Sequence, residues 1–159
     1  MLKGFDPIIA PEPQIMILGS MPSVTSLERQ EYYGFAHNRF WKIMAKHYQA
    51  TLTEYEDKVK LIKDHHIILW DVIGECEREG SLDSAIRNEQ VNDVKGLLQE
   101  YPGIHKIICN GRKSYDLFMK HFHEISERIE VCYLPSTSNA NRSIQETALF
   151  ALWETQLPK

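Results

Sequence analysis

Four short, largely apolar runs, each stopped by a turn-forming or polar residue, constrain the fold of this chain most strongly. They occupy residues 15–18, 67–70, 106–109 and 129–134. A run of apolar residues too short for a helix is typical of a strand buried on both faces, as in a parallel sheet. The runs therefore predict four central strands.

The segments between the runs have the apolar spacing of helices. Two helices are predicted over 39–48 and 114–122, and a third begins at Asn92 and ends at 102–103. Two more begin at capping boxes, one formed by Thr53 and Glu56 and one by Ser143 and Glu146, and the second of these extends to Gln156. The polar segment 74–90 is predicted to be a long loop, and 20–39 a polar, aromatic connection. Strands alternating with helices predict an α/β fold, a three-layer α/β/α sandwich around a four-stranded, mostly parallel sheet.

Composition narrows the class of protein. The 159 residues fit a single domain over 1–159, and 43% hydrophobic residues supply a core. A net charge of −4 argues against a surface coated in positive charge, but allows a DNA enzyme with a few local contacts. No apolar run is long enough for a signal peptide or a membrane span, so we expect a cytoplasmic protein. We also expect it to be a monomer. The three cysteines and the histidine pairs lack metal-ligand spacing, so we expect no metal.

All four predicted strands end in polar or turn-forming residues. The exits are 19–23, Asp71, 110–112 and 135–142. Binding sites in parallel sheets form outside the carboxyl ends of the strands. The first exit lacks both the phosphate-loop pattern and the Gly-x-Ser-x-Gly pattern of a nucleophile elbow, so on its residues alone it is a tight turn.

The segment 32–41 is rich in aromatic residues that do not form a helical stripe. Tyr32, Tyr33 and Phe35 offer a stacking surface for a base, or equally a hydrophobic plug at the sheet edge. Asn38 stands where a helix begins, so N-capping is one role for it. The exit 135–142 is either a loop that follows a phosphate backbone or a plain connection to a capped helix.

Five motifs occur in an order that resembles the DNA-deoxyinosine (hypoxanthine-DNA) glycosylase branch of the uracil-DNA glycosylase superfamily. They are Gly-Ser-x-Pro-Ser at 19–23, Tyr-Tyr-Gly at 32–34, Asn-x-Phe-Trp at 38–41, Gly-Ser-Leu-Asp at 80–83 and Leu-Pro-Ser-Thr-Ser at 134–138. The resemblance covers nearly the whole chain. The mismatch-specific uracil/thymine glycosylases are more distantly similar, through 35–41.

The resemblance implies a monofunctional DNA glycosylase that flips and excises a deaminated base, most simply hypoxanthine, by hydrolysing the N-glycosidic bond in base excision repair. It also implies a reaction that needs no metal and no cofactor. Much of the superfamily has Asp or Asn before the motif proline to position the water, and this chain has Met21 there. By analogy with its branch, Asn38 is the expected catalytic residue, because its amide can orient a water. Ser20, Ser23 and His37 are weaker candidates.

The resemblance also implies the groups that hold the substrate. Tyr33 is expected to form the floor of the base pocket, with Asp71 reading the base edge and Ser20 beside it. The expected DNA contacts are Ser136, Thr137, Ser138, Asn139, Asn141 and Arg142. The family usually has proline at position 139. Alternatives that stay open are a uracil or thymine-mismatch glycosylase, a non-catalytic nucleic-acid-binding module, and a small hydrolase using Ser20 or Ser23.

Overall fold

A computed structural model describes residues 1–159. The strands are β1 Leu2–Lys3, β2 Ile8–Ile9, β3 Ile15–Gly19, β4 Ile67–Asp71, β5 Ile73–Glu77, β6 Arg87–Val91, β7 Lys106–Asn110 and β8 Glu130–Leu134. The helices are α1 Val24–Arg29, α2 Phe40–Tyr48, α3 Tyr55–Asp64, α4 Val94–Glu100, α5 Arg112–Phe122 and α6 Glu146–Gln156, with 3-10 turns at Asp83–Ala85 and His123–Glu127. None of the helices has the length and apolar character that crossing a bilayer requires.

The central sheet has the order β2-β4-β3-β7-β8. Its four long strands are parallel, as the apolar runs predicted, while β2 pairs antiparallel with β4 at the edge. The fifth strand was not predicted, because it contributes only two residues within a segment rich in proline.

The core lies on both faces of this sheet, which confirms the three-layer architecture. Met16 and Leu18 of β3 pack with residues of α4 and α5 in one buried cluster. Ile15 and Ile17 of the same strand pack with residues of α2, α3 and α6 in a second cluster. Successive side chains of a strand point to opposite faces, so one apolar run serves both layers.

The predicted loop at 74–90 is wrong, because β5 and β6 lie there and form a second antiparallel sheet of order β1-β5-β6. The sequence does not predict these strands because few of their residues are apolar and buried, and none of the five residues of β6 is buried. The connection between β5 and β6 carries the turn Asp83–Ala85 to the carboxyl end of β3, where the Ser20 hydroxyl meets the Asp83 carboxylate.

Several helix starts also differ from prediction. The connection 20–39 contains α1, which Ser23 caps by accepting from the Ser26 N–H at 3.1 Å. The capping box of α3 uses Glu54 and Asp57, one residue later than expected. The predicted box at Ser143 does not form, because the Ser143 hydroxyl donates to Asn141 Oδ1 at 2.6 Å.

Candidate functional site

The four strand exits meet in one cleft at the carboxyl end of the central sheet, with a volume of about 830 Å³. The connection between β5 and β6 supplies a further wall, through residues 81–84. This is the place that the sequence predicted for a site, and one of its walls comes from the segment that the sequence predicted to be a loop.

Nine of the ten side chains expected in the site line this cleft. They are Ser20, Tyr33, Asn38, Asp71, Ser136, Thr137, Ser138, Asn139 and Asn141. Arg142 lies instead in an adjoining surface depression that includes His37, Arg39 and Lys42. The depression shares Asn139 and Asn141 with the cleft, so the two hollows form a continuous polar surface.

A chain of hydrogen bonds, here called the amide chain, joins Asn38, Thr137, Asn110 and Tyr33. The Thr137 hydroxyl donates to Asn38 Oδ1 at 2.9 Å and accepts from Asn110 Nδ2 at 3.0 Å. Asn110 Nδ2 also donates to Tyr33 Oη at 3.1 Å, and Asn110 Oδ1 accepts from the Thr137 N–H at 3.0 Å. Three segments far apart in the sequence are thereby fixed to one another beneath the cleft.

The amide chain fixes the orientation of Asn38. Its Oδ1 accepts from the Phe40 N–H at 2.9 Å as well as from Thr137, so both lone pairs are used. A flipped amide would set its NH2 group against the Phe40 N–H, which is also a donor. The Nδ2 atom donates to no protein acceptor and is the free end of the side chain. Asn38 therefore supports the start of α2 and presents an N–H donor at the same time.

The structure corrects the expectation for Thr137, which was to contact a phosphate. Its side chain is completely buried, at 0% exposure. Its carbonyl oxygen accepts from the Arg39 N–H and Nε. Thr137 is thus an internal link between the exit loop of β8 and Asn38, while Ser136 and Ser138 on either side remain partly exposed.

Tyr33 lies flat against Phe40, with ring centroids 4.2 Å apart and an angle of 25° between the planes. Its backbone is in the left-handed region, with φ of 52°, so the local chain turns sharply to place the ring there. Burial, and then the nearby Asp71, raise the pKa of the Tyr33 hydroxyl. Tyr33 therefore stays neutral, with one face packed against Phe40.

Asp71 is the unusual group of the site. It is 4% exposed, and its Oδ2 atom has no hydrogen-bond partner. Burial, followed by the carboxylate of Asp83, raises the pKa of Asp71 to about 7, although Arg78 acts in the opposite direction. A buried polar atom without a partner costs about 1–3 kcal/mol, which marks this carboxyl as a candidate for ligand binding.

Gly19 makes room for this arrangement. A Cβ on Gly19 would lie 2.5 Å from Asp71 Oδ1 and 2.9 Å from Tyr33 Oη. Both groups lie close to the position that a Cβ of Gly19 would occupy, so the carboxyl and the phenol are side by side at the end of β3.

Asp83 was missed by sequence reasoning, although it belongs to one of the motifs that carried the resemblance. It accepts from the Ser20 hydroxyl at 2.7 Å, and burial raises its pKa. Asn110 was recognised only as the end of a strand. Residue type alone does not indicate the role of Asp83 or Asn110, because their hydrogen-bond partners are more than 25 residues away in the sequence.

The hydroxyls of the first exit are committed to structural partners. Ser20 donates to Asp83, and Ser23 donates to Ser26 at 3.2 Å, so neither forms the serine–histidine contact of a hydrolase triad. Met21 is 7% exposed and belongs to the core beneath β3. No group of three or more His, Cys, Asp or Glu side chains in residues 1–159 is arranged to hold a metal ion.

Comparison with known proteins gives consistent matches over this architecture. The family model described as "Uracil DNA glycosylase superfamily" matches residues 7–156. A "Hypoxanthine DNA glycosylase" from Methanosarcina acetivorans is 38% identical over 144 residues, 88% of each chain. A protein of the same name from Methanosarcina barkeri is 32% identical over the same shares. A solution NMR structure from M. acetivorans, described as a candidate uracil DNA glycosylase, superposes with a TM-score of 0.83 at 36% identity, covering 97% of this chain and 94% of that one.

Proposed function

This chain belongs to the uracil DNA glycosylase superfamily, and we propose that it flips a deaminated nucleotide out of DNA and hydrolyses the bond between base and deoxyribose. The proposed base is hypoxanthine. The names of the two Methanosarcina relatives support this choice. The observation that carries the proposal is the buried carboxyl of Asp71, whose Oδ2 has no hydrogen-bond partner, in one cleft with Tyr33 and Asn38.

Asp71 is proposed to read the edge of the base. Hypoxanthine presents an N1–H donor next to an O6 acceptor. A protonated carboxyl has one acceptor oxygen and one O–H donor, which are the two kinds of group that this edge requires. A pKa of about 7 keeps this form populated at neutral pH. The donated proton also stabilises negative charge on O6 as the base departs.

Tyr33 is proposed to support the base by stacking. Its ring is held from behind by Phe40 and at its hydroxyl by Asn110, so it is preorganised before the base arrives. A fixed aromatic surface loses little conformational entropy on binding, and stacking on one base contributes about 1–3 kcal/mol. Ser20 lies at the same end of β3, with its hydroxyl bound to Asp83.

Asn38 is proposed to hold the attacking water through its free Nδ2–H. The water accepts this hydrogen bond with one lone pair and directs the other at the sugar carbon. Asn38 cannot remove a proton, so its contribution is orientation. This is sufficient where the sugar carries positive charge early, because such a centre needs little help from a base. Met21 is buried in the core and takes no part.

Five polar residues near the exit of β8 are proposed to contact the DNA backbone and groove. They are Ser136, Ser138, Asn139, Asn141 and Arg142. Arg39 orders this loop from inside by donating to the carbonyl oxygens of Ser138 and Asn141, at 2.6 and 3.3 Å. Few of these groups are cationic, and the net charge is −4, so binding should depend only modestly on salt.

The test is single-turnover base release from duplexes that carry inosine, uracil, xanthosine or a thymine mismatch, scored by alkali cleavage at the abasic site. The proposal expects release of hypoxanthine well above the other bases. Faster release of uracil or of mismatched thymine would show that this base, and not hypoxanthine, is the substrate. Binding without release from any duplex would identify a non-catalytic nucleic-acid-binding module.

The role of Asn38 is tested by Asn38→Ala, which should slow hypoxanthine release by about 100-fold. Asn38→Asp separates the two ends of the side chain, because it keeps an acceptor for Phe40 and Thr137 but removes the N–H donor. Asn38→Asp should therefore also lose most activity while melting at nearly the native temperature. Asn88→Gly, at an exposed position with φ of 53°, is the matched control. Full activity in Asn38→Asp would show that Nδ2 does not hold the water.

A further inference from the structure

Tyr133 is a large aromatic side chain that is exposed in the cleft, and Arg112 lies over it. Tyr133 is 38% exposed near the carboxyl end of β8, and the Arg112 guanidinium is 4.4 Å from the centre of its ring. The ring of Tyr115 packs edge-on against Tyr133, with centroids 5.9 Å apart and an angle of 72° between the planes. Tyr133 and Arg112 both line the cleft, and together they are here called the platform.

The guanidinium of the platform is held in place but remains open to solvent. It is 5.8 Å from the ring of Tyr115, and its Nη1 is 3.7 Å from Asp116 Oδ1, one turn further along α5. Despite these contacts, 64% of the Arg112 side chain is exposed. A guanidinium is planar, and its flat face stacks on nucleic-acid bases. The platform therefore presents a flat, oriented surface to a second flat group.

The chemistry of the platform favours a base over a phosphate. The Asp116 carboxylate also lines the cleft and offsets part of the charge of Arg112, so it would repel a phosphate placed there. Lys113 lines the cleft but forms no ion pair, and it remains available for a phosphate. Any base can stack on the platform, because every base has a π face. With a net charge of −4, the chain has little general attraction for the DNA backbone, so stacking is the stronger source of affinity.

The platform lies beside the proposed base pocket. Asn110, which donates to Tyr33 Oη, ends β7, and Arg112 follows two residues later at the start of α5. Helix α5 packs on one face of the central sheet and α2 on the other, so the platform and the depression that contains Arg142 flank the cleft on opposite sides. A strand whose flipped nucleotide enters the cleft therefore meets the platform on one side of that nucleotide.

We propose that the platform is a second stacking subsite, which binds one unpaired base next to the flipped nucleotide in the same strand. This inference rests on the proposed function and deepens it, because it makes binding stronger where the DNA around the damaged base is single-stranded or frayed. In an intact duplex the neighbouring base stays paired and stacked, so the platform has no ligand. Neither side chain touches the reacting atoms, so both are binding residues.

The test measures binding of a single strand that carries 2′-fluoro-2′-deoxyinosine, whose glycosidic bond resists hydrolysis. Fluorescence anisotropy compares the complete strand with two others, one with an abasic spacer on the 5′ side of the inosine and one with the spacer on the 3′ side. The wild-type protein should bind one spacer strand about tenfold more weakly than the complete strand, and the other nearly as well as the complete strand. The side on which the spacer weakens binding identifies the base on the platform.

A double variant, Arg112→Lys with Tyr133→Leu, removes both flat groups and keeps the net charge. It should bind the complete strand about tenfold more weakly than the wild type and should no longer distinguish the three strands. Its binding to a fully paired duplex should be unchanged. Tyr133→Phe keeps the ring and should behave like the wild type, and Arg128→Lys, at an exposed arginine outside the cleft, is the matched control. Melting temperatures check that each variant is folded.

The wild-type comparison alone can overturn the proposal, because equal weakening by both spacers, or by neither, leaves no base on the platform. A double variant that binds the complete strand as tightly as the wild type would also overturn it, and would show that Arg112 acts only through its charge. Absence of base release by the wild-type protein from unmodified inosine strands would instead overturn the proposed function. The spacer comparison does not depend on the chemical step and would still report on the platform.

Discussion

The two sides of the cleft use polar groups in opposite ways. On one side, around the ends of β3 and β4, two acidic residues are crowded together: Asp71 has an unpartnered oxygen, and the pKa values of Asp71 and Asp83 are both raised. On the other side, at the ends of β7 and β8, the amide chain consists of neutral groups that satisfy one another.

The contrast separates two requirements of a base-excising site. A group that reads a base must keep its hydrogen-bonding capacity free, so it stays unsatisfied until the base arrives. A group that holds a water must not move, so it is tied into a completed network. Base release and stability should therefore change with pH through the acidic side, and both should fall when any member of the amide chain is removed.

The largest effect is expected from Asn110→Ala, which breaks the amide chain at its centre. The change removes partners from Tyr33 Oη and from the N–H and hydroxyl of the buried Thr137. Leaving these groups unsatisfied should lower the free energy of unfolding by about 3 kcal/mol and slow base release by about 100-fold. Urea unfolding and single-turnover release measure the two losses. A destabilised variant with normal release would show that the amide chain is only structural.

A smaller effect on base release is expected from Asp71→Asn, and the effect of this substitution on stability depends on pH. The pKa of Asp71 is raised to about 7 in the folded protein, so the stability it contributes is complete below about pH 4 and is lost as pH rises through about 7. Asp71→Asn removes this loss, and should be more stable than the wild type at pH 8 by on the order of 3 kcal/mol, with no gain at about pH 4. Urea unfolding at the two pH values measures the difference.

The same variant sharpens the assignment of Asp71 to the base. Wild-type release of hypoxanthine should fall as pH rises through about 7, because the protonated carboxyl is the proposed partner of O6. The carboxamide introduced by Asp71→Asn keeps a donor and an acceptor at every pH, so the profile of the variant should be flat in this range. Parallel profiles for the two proteins would remove Asp71 from the base pocket.

The smallest effect is expected from Asp83→Asn. The substitution keeps an acceptor for the Ser20 hydroxyl but removes a negative charge that raises the pKa of Asp71. The fall in the pH–rate profile should therefore move to lower pH, with little change in the plateau rate. Glu79→Gln, an exposed charge in the same connection, should leave the midpoint in place. A midpoint that stays fixed in Asp83→Asn would show that the two carboxylates do not interact.

The parts of this molecule that could be predicted from sequence are those set by local patterns. The four parallel strands follow from runs of apolar residues, and their ends locate the cleft. The second sheet could not be predicted, because β6 is exposed or half-buried along its length and carries no apolar signal. A capping pattern predicted that α6 begins at Ser143, but the Ser143 hydroxyl donates to Asn141 Oδ1 and the helix begins at Glu146.

The roles of individual residues in the site could be predicted less well than the location of the site. Thr137 has the sequence context of a surface serine–threonine loop, and only its position beneath Asn38 shows that it is internal. Asp83 and Asn110 acquire their roles from partners on distant segments. A single sequence displays residue types and spacings, but not which loops the topology will bring together.

The pairing of β1 with β5 has a consequence for the order in which the molecule is built. Leu2 pairs with Cys76 and Lys3 with Glu75, and the Ser20 hydroxyl donates to Asp83, so few contacts join the wall at residues 81–84 to the start of the chain. The pairing of Ile15 with Lys106 in the central sheet closes an even longer loop, but there β3 and β7 pair at four positions and their buried side chains offset the entropic cost. The wall is therefore expected to form after the central sheet and to be the first part lost under mild denaturation.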